Sequence, residues 1–214
     1  MSFSLGRRYA ADQRDTDHPM RKALAVGLTL PSYKFWTPGA VLDQGETSSC
    51  VGHAWEGWLL SSPVRTKNGP SAFTIYDEAK KVDEWPGVSY EGTSVRAGVK
   101  FLATQGRVGE YLWAEDLDSL KRWVLTNGPV VLGTNWTESM FTADSKGYVW
   151  DTGSVVGGHA YLVVGFSTSR HAFRCLNSWG VGWSQKGRFW MREDVVARLL
   201  ASQGEACAAI EVSV

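Results

Sequence analysis

The chain has 214 residues, enough to bury a sizeable core as one domain or as two closely packed lobes. Its 22 basic and 22 acidic residues cancel, which removes any electrostatic case for nucleic acid or an anionic membrane as partner. The three cysteines, Cys50, Cys175 and Cys207, lack framework spacing and argue against a disulfide-stapled fold. No apolar run is long enough for a membrane span, and the N-terminus lacks the apolar stretch of a secretory signal, so a cytoplasmic or virus-associated protein is expected. Eleven tryptophans and 23 glycines point to a turn-rich, tightly packed molecule rather than a helical bundle.

Residues 1–29 are polar, arginine-rich and poorly periodic, and read as a leader or strap in which His18 is a solvated surface residue. A catalytic domain is expected over residues 30–214, with a helical lobe over about 40–108 and a β-rich lobe over about 109–214. Turn formers between Pro31 and Gly39 lead into LDQGETSSCVGHAWEGWLL, residues 42–60. Val51, Ala54, Trp55, Trp58 and Leu59 have the spacing of one buried helical face. Ser48 or Ser49 is a natural N-cap for this helix. Cys50 then falls in the first turn, where the helix dipole favours the thiolate, the nucleophilic form. Gly52 and Gly57 each weaken the helix and suggest close approach of another backbone.

Two further helices are expected. Ser71 caps a run through Ala72, Ile75, Tyr76, Ala79 and Val82, and Thr93 or Ser94 caps another through Val95, Val99 and Leu102 that ends at Gly106. After Gly106 a short helix holds Leu117, Leu120, Trp123 and Val124. Strands are expected at 129–136, 147–150, 159–166, 171–177, 188–192 and 206–212, and a helix near 193–203 interrupts them. Helices followed by strands make the fold class α+β, with room for a site where the two halves meet.

The strand from His159 to Phe166, the turn signal Ser167-Thr168-Ser169 and the returning run to Asn177 form a hairpin. A turn centred on Thr168 places His159 opposite Asn177, with Cβ atoms about 4.5–5.5 Å apart on one face. The asparagine carboxamide can accept an imidazole N–H and leave the other ring nitrogen free to face a thiol. Cys50, His159 and Asn177 thus supply thiol, base and orienter of an activated nucleophile. His53, three residues after Cys50, is a competing base that lacks an orienter, while His171, Cys175 and Cys207 read as strand residues.

With these residues in place, the chain resembles the papain (C1) family of cysteine peptidases over roughly residues 30–214. Gln44 precedes Cys50 by six residues, as the family's oxyanion-hole glutamine does. Gly158-His159-Ala160 resembles the segment around the catalytic histidine, and Asn177-Ser178-Trp179-Gly180 the asparagine motif whose tryptophan shields the Asn–His bond. The resemblance implies a papain-like fold, with a helical left lobe, a β-barrel-like right lobe and the cleft between them. It implies peptide-bond hydrolysis through a thioester, with Cys50, His159, Asn177 and Gln44 as catalytic residues and protein or peptide as substrate. No cofactor or metal is required. Gly92 matches a glycine that pairs with substrate backbone, Gly158 and Trp179 beside the histidine are further expected substrate contacts, and Gly133 and Gly157 line a second subsite that is expected to be roomy and to take a bulky P2 side chain.

Several positions depart from the family. Thr47 replaces the first cysteine of the family's Cys-Gly-Ser/Ala-Cys-Trp/Tyr signature, Val51 replaces its aromatic residue, and Thr93 stands where a second glycine is expected. The short separation of Cys50 from His159 fits compact bacterial or phage members. Fewer than 30 residues precede the expected domain, too few for the usual inhibitory propeptide, so the leader is expected to strap the lobes together rather than inhibit. Two other outcomes remain compatible with these residues: thiol-dependent acyl transfer or cell-wall peptide hydrolysis, and a non-catalytic binding module on the same scaffold.

Overall fold

The computed structural model describes residues 3–212. Helix α1 (Cys50–Leu60) starts at the cysteine and buries Val51, Ala54, Trp55, Trp58 and Leu59, the face that its spacing predicts. Ser49 holds the N-cap position without capping the helix, because its hydroxyl is engaged by Thr47 Oγ1 at 2.6 Å and His53 Nδ1 at 3.1 Å. A Cβ on Gly52 would collide with the Ala72 carbonyl oxygen at the start of α2 (Ala72–Ala79), so this glycine lets two helix backbones touch. Gly57 meets only the Leu162 and Leu176 side chains at ordinary contact distance. Ser71 caps α2 and Ser94 caps α3 (Val95–Thr104), each accepting an N–H from the first turn. Gly106, at φ +66°, ends α3 with the left-handed residue that glycine supplies without strain. An Asp116–Ser119 capping box opens α4 (Leu117–Thr126), and α5 (Glu193–Ala201) stops two residues before the expected end.

The strands β1 (Tyr33–Phe35), β2 (Val108–Trp113), β3 (Val130–Thr137), β4 (Val155–Ser167), β5 (Ala172–Leu176), β6 (Arg188–Arg192) and β7 (Glu205–Glu211) join one antiparallel sheet. Its order is β2-β7-β3-β4-β5-β6, with β1 added to the far end of β4. The sheet is open, which corrects the expected barrel-like lobe. Strands β1 and β2 were not anticipated: β1 is only three residues long, and Gly109-Glu110 interrupts the apolar pattern of β2. The expected strand at 147–150 is not one. Only Tyr148 bridges Trp190, because the Asp144 carboxylate draws the Lys146 and Tyr148 amides into a turn.

Alternation along the strands builds two cores on the two faces of the sheet. Tyr161 and Val163 of β4 face Trp123, Val124, Phe189 and Val195, in the core under α4 and α5. Ala160, Leu162 and Val164 face Trp55, Trp58 and Val99, in the core under α1 and α3. Strand β4 therefore runs between the two cores, and its His159 end lies next to the start of α1.

Residues 3–24 pack against the rest of the chain, and residues 25–29 are exposed. Single turns of 3-10 helix occupy Gln13–Asp17 and Met20–Ala23. Met20 is buried, and Arg96 of α3 reaches out to Asp15, Glu84 and the Ala10 carbonyl. His18 is half-buried, not solvated as expected. Its carbonyl accepts the Trp113 N–H at 2.8 Å, and its ring lies 5.4 Å from that of Tyr111.

Candidate active site

His159 lies on β4 and Asn177 just beyond β5, and the two meet: His159 Nε2–H donates to Asn177 Oδ1 at 2.8 Å. The hairpin pairs Leu162 with Leu176 and Val163 with Cys175, then absorbs a bulge before Gly165 pairs with Arg174. Near the site this register differs by two residues from the one expected, so Asn177 is diagonal to His159 rather than opposite. An even slip keeps both on one face, and that is why the contact survives. The Ser178 N–H also donates to Asn177 Oδ1, at 2.8 Å, and fixes the carboxamide orientation. Trp179 stacks on the imidazole with ring centroids 4.7 Å apart, and Trp136 meets it edge-on at 4.7 Å, so water is shut out of the Asn–His bond.

Cys50 is wholly buried, with the backbone amides of Ala160 and Gly6 near its sulfur. The buried Nδ1 of His159 has no hydrogen-bond partner. His53 is held elsewhere, with Nδ1 2.9 Å from the Ser49 carbonyl oxygen of its own helix turn and its ring edge-on to Phe73. His171 sits in the turn before β5 at φ +49° and pairs with Glu193 at 2.8 Å. Cys175 and Cys207 are buried in strands, as expected.

What covers Cys50 is the leader. Gln44 Nε2 donates to the Ser4 carbonyl oxygen at 3.1 Å and to the Thr47 carbonyl at 2.7 Å, while its Oε1 accepts from Ser178 Oγ at 2.7 Å. The Gly6 and Arg7 amides donate to the Gly158 carbonyl at 3.1 and 2.9 Å. The Thr93 N–H donates to the Gly6 carbonyl and the Arg8 N–H to the Thr93 carbonyl, each at 2.9 Å, so the leader runs parallel to the 93 segment. Thr93 makes these bonds with its backbone, so the missing second glycine costs nothing here. Close approach depends on glycines at Gly6, Gly92 and Gly158: a Cβ at each would collide with the Ser48, Gly6 and Arg7 carbonyl oxygens respectively. Gly92 also requires glycine for its φ of +84°.

The remaining residues expected to bind substrate are filled in the same way. Phe3 stacks on Trp179 at 4.7 Å, and Leu5 lies over Gly157. The Arg7 side chain passes Gly133 and pairs with Glu205 at 3.0 Å, its other donor reaching the Gln203 carbonyl. Arg7 and Glu205 are almost inaccessible to solvent, so a carboxylate stands at the base of the pocket that Gly133 opens. Glu205 and the leader residues Phe3, Ser4, Gly6 and Arg7 escaped the sequence reading. The one available signal for Glu205 was an acidic residue at the head of the small apolar run Ala206–Ala209.

Burial decides the charge state. It pushes the Cys50 thiol up to about 11, against the weaker pull of the neighbouring amides, and the His159 imidazole down to about 4, against the Asn177 bond. Burial thus favours the uncharged form of both groups and opposes the thiolate that a first-turn position favours. Burial likewise raises Glu205 to about 7 despite Arg7, so desolvation offsets much of what the pair gains.

The model of the family described as "Papain family cysteine protease" matches residues 70–208, which hold His159 and Asn177 and begin after Cys50. The chain belongs to the papain family. An uncharacterised C1-like peptidase protein of Acanthamoeba polyphaga mimivirus is 31% identical over 207 residues, covering 73% of this chain and 65% of that protein. A cathepsin B-like cysteine proteinase of Caenorhabditis elegans is 28% identical over 81 residues, 37% of this chain and 24% of that protein. The chain thus spans less than two thirds of these relatives. Among solved structures, xylellain, a cysteine protease from Xylella fastidiosa, superposes with a TM-score of 0.79 at 21% identity over 98% of this chain and 97% of that one. This likeness establishes the papain-like fold over the whole chain, and agrees with a compact member of the family.

Proposed function

We propose that the protein is a cysteine endopeptidase, held in a latent form by its own leader. The observation that carries this reading is the seated polypeptide: residues 3–8 lie in the cleft with a backbone carbonyl on Gln44 and backbone bonds to Thr93 and Gly158. A surface that holds one peptide by its main chain can hold another, with side-chain pockets setting the preference.

Once the leader is displaced, water re-enters the cleft and burial no longer keeps the thiol and imidazole neutral. The Cys50 proton passes to His159, and the thiolate attacks the carbonyl carbon of the scissile bond. As the carbon–sulfur bond forms, the electron pair moves onto oxygen, where Gln44 Nε2–H and the Cys50 N–H stabilise it. The intermediate collapses, His159 protonates the departing amine, and a thioester remains on Cys50. Water, deprotonated by His159, then releases the acid and restores the thiol. Asn177 keeps the ring oriented through both steps, and Trp179 keeps water from its bond.

The pocket beside Gly133 refines the expectation of a merely bulky P2 residue. With Glu205 at its base and a guanidinium already seated on it, the second subsite favours arginine or lysine at P2. Hydrolysis of casein and of a P2-varied peptide library, run beside peptidoglycan, tests the reading. Casein cleavage that is lost in Cys50→Ser, with basic P2 residues preferred and the preference abolished in Glu205→Gln, is the expected outcome. Cleavage of peptidoglycan alone would move the assignment to a cell-wall peptide hydrolase. Absence of turnover after leader displacement would leave a binding module.

A further inference from the structure

At the end of β4 away from His159 the sheet carries a second cavity, open and of about 440 Å³. Its floor is a row across four strands: Phe35 of β1 pairs with Gly165 of β4, Gly165 with Arg174 of β5, and Arg174 with Trp190 of β6. Gly165 lets β1 close on β4 and the Phe35 ring lie across it as one wall, since a Cβ there would collide with that ring. Lys146, Arg170, Arg174 and Arg188 surround the floor, and no acidic side chain lines it. Six residues of strand separate Gly165 from His159, about 20 Å at the usual rise, so this cavity is distinct from the peptide cleft.

The charge here is uncompensated. None of these four cations belongs to an ion pair among the described residues, although they share one hollow. Arg174 and Arg188 are diagonal neighbours on one sheet face, an arrangement of like charges that costs stability. Arg174 is half-buried. Burial lowers its pKa, Cys175 works against that, Arg188 and Arg170 lower it further, and no carboxylate contributes. Asp144, two residues before Lys146, is turned to the Lys146 and Tyr148 amides and the Trp150 indole. The guanidinium groups are nevertheless ordered: Arg170 and Arg174 lie over the Trp190 ring at 4.9 and 4.8 Å, and Arg174 donates to Gln185 Oε1 at 2.7 Å. Gln185 is in turn tied to the Lys146 carbonyl at 2.9 Å. Solvated surface arginines have no need of such a frame. Fixed guanidinium forks converging on a hollow match the tetrahedral oxygens of a phosphate, and the Phe35 and Trp36 walls leave an apolar side for an organic group.

We infer that this cavity is a binding site for a phosphate-bearing small molecule, separate from the peptidase cleft. Isothermal titration of the full chain at low salt with inorganic phosphate, pyrophosphate and phenyl phosphate tests it. One saturable site is expected, with pyrophosphate tighter than phosphate. Phenyl phosphate that exceeds phosphate identifies an esterified ligand that uses the aromatic wall, and equal affinity identifies the free anion. Arg174→Gln and, as a milder change at an exposed position, Arg170→Gln are each expected to weaken binding at least tenfold without loss of the melting transition, while Cys50→Ser leaves it unchanged. Titrations that fail to saturate at millimolar anion, or affinity unaltered in folded Arg174→Gln and Arg170→Gln, would overturn the inference.

Discussion

At the scale of single residues, the site turns on which nitrogen of His159 is held. Asn177 takes Nε2 and leaves Nδ1 buried without a partner, so the imidazole has one group to orient it and one free to react. Gln44 is positioned as firmly: its Oε1 is fixed by Ser178 Oγ, which aims Nε2 at a carbonyl oxygen in the cleft. Replacing Gln44 by alanine is expected to lower kcat by about 10²–10³, the usual consequence of losing one oxyanion donor, with a smaller change in KM. The same residues set a pH dependence of stability. His159 ordinarily titrates at 6.5 and is depressed to about 4, so the unfolded chain binds its proton first. The stability it contributes is present above pH 6.5 and is lost as pH falls towards 4. Cys50 moves the other way, from 9.0 to about 11, and its contribution is present below pH 9 and lost as pH rises through 11. Melting temperature measured against pH should therefore decline on both sides, and His159→Gln should flatten the acid limb. An acid limb unchanged in that variant would show that His159 is not held neutral by burial.

At the scale of elements, the two glycines of α1 differ in the room around them. Gly52 lies against the α2 backbone, and Gly52→Ala forces the helices apart at a cost of about 1–3 kcal/mol, the range for an overpacked interior. Gly57 faces open contact distance, and Gly57→Ala should be neutral or stabilise by up to about 1 kcal/mol through helix propensity. Chemical denaturation of the pair checks both, and equal effects would refute the distinction. The sequence carried the helices well because each has an apolar stripe and a stop such as Gly106. It carried the His159–Asn177 contact because the bulge near Gly165 turns an odd offset beside the turn into an even one, and an even offset keeps both residues on one face. Strand β2 was illegible, since Gly109-Glu110 breaks the alternation that marks a strand. The neutral Cys50 was illegible for a different reason: its burial is imposed by residues more than forty positions upstream, and no local pattern near Cys50 encodes them.

At the scale of the whole molecule, the proposed latency rests on one segment. The leader is fastened at Met20, at Arg96 with Asp15, and at Arg7 with Glu205, while Gly6 presses against Ser48 over the sulfur. Substituting valine for Gly6 puts a branched side chain where no Cβ fits, and it should unseat the cleft portion while the outer fastenings hold. Arg7→Ala should act in the same direction and also lower the melting temperature, because it strands Glu205 in a buried pocket. Both variants are expected to cleave casein faster than the unaltered chain. A strap that only braced the molecule would give lower activity in both.

The most direct test of the account is mass spectrometry after treatment with an epoxide thiol inhibitor of the E-64 type, comparing the unaltered chain with Gly6→Val. The account predicts a single adduct on Cys50 in both, formed slowly in the first and quickly in the second, and none on Cys175 or Cys207. Failure of Cys50 to react in Gly6→Val, or reaction at the strand cysteines instead, would contradict it.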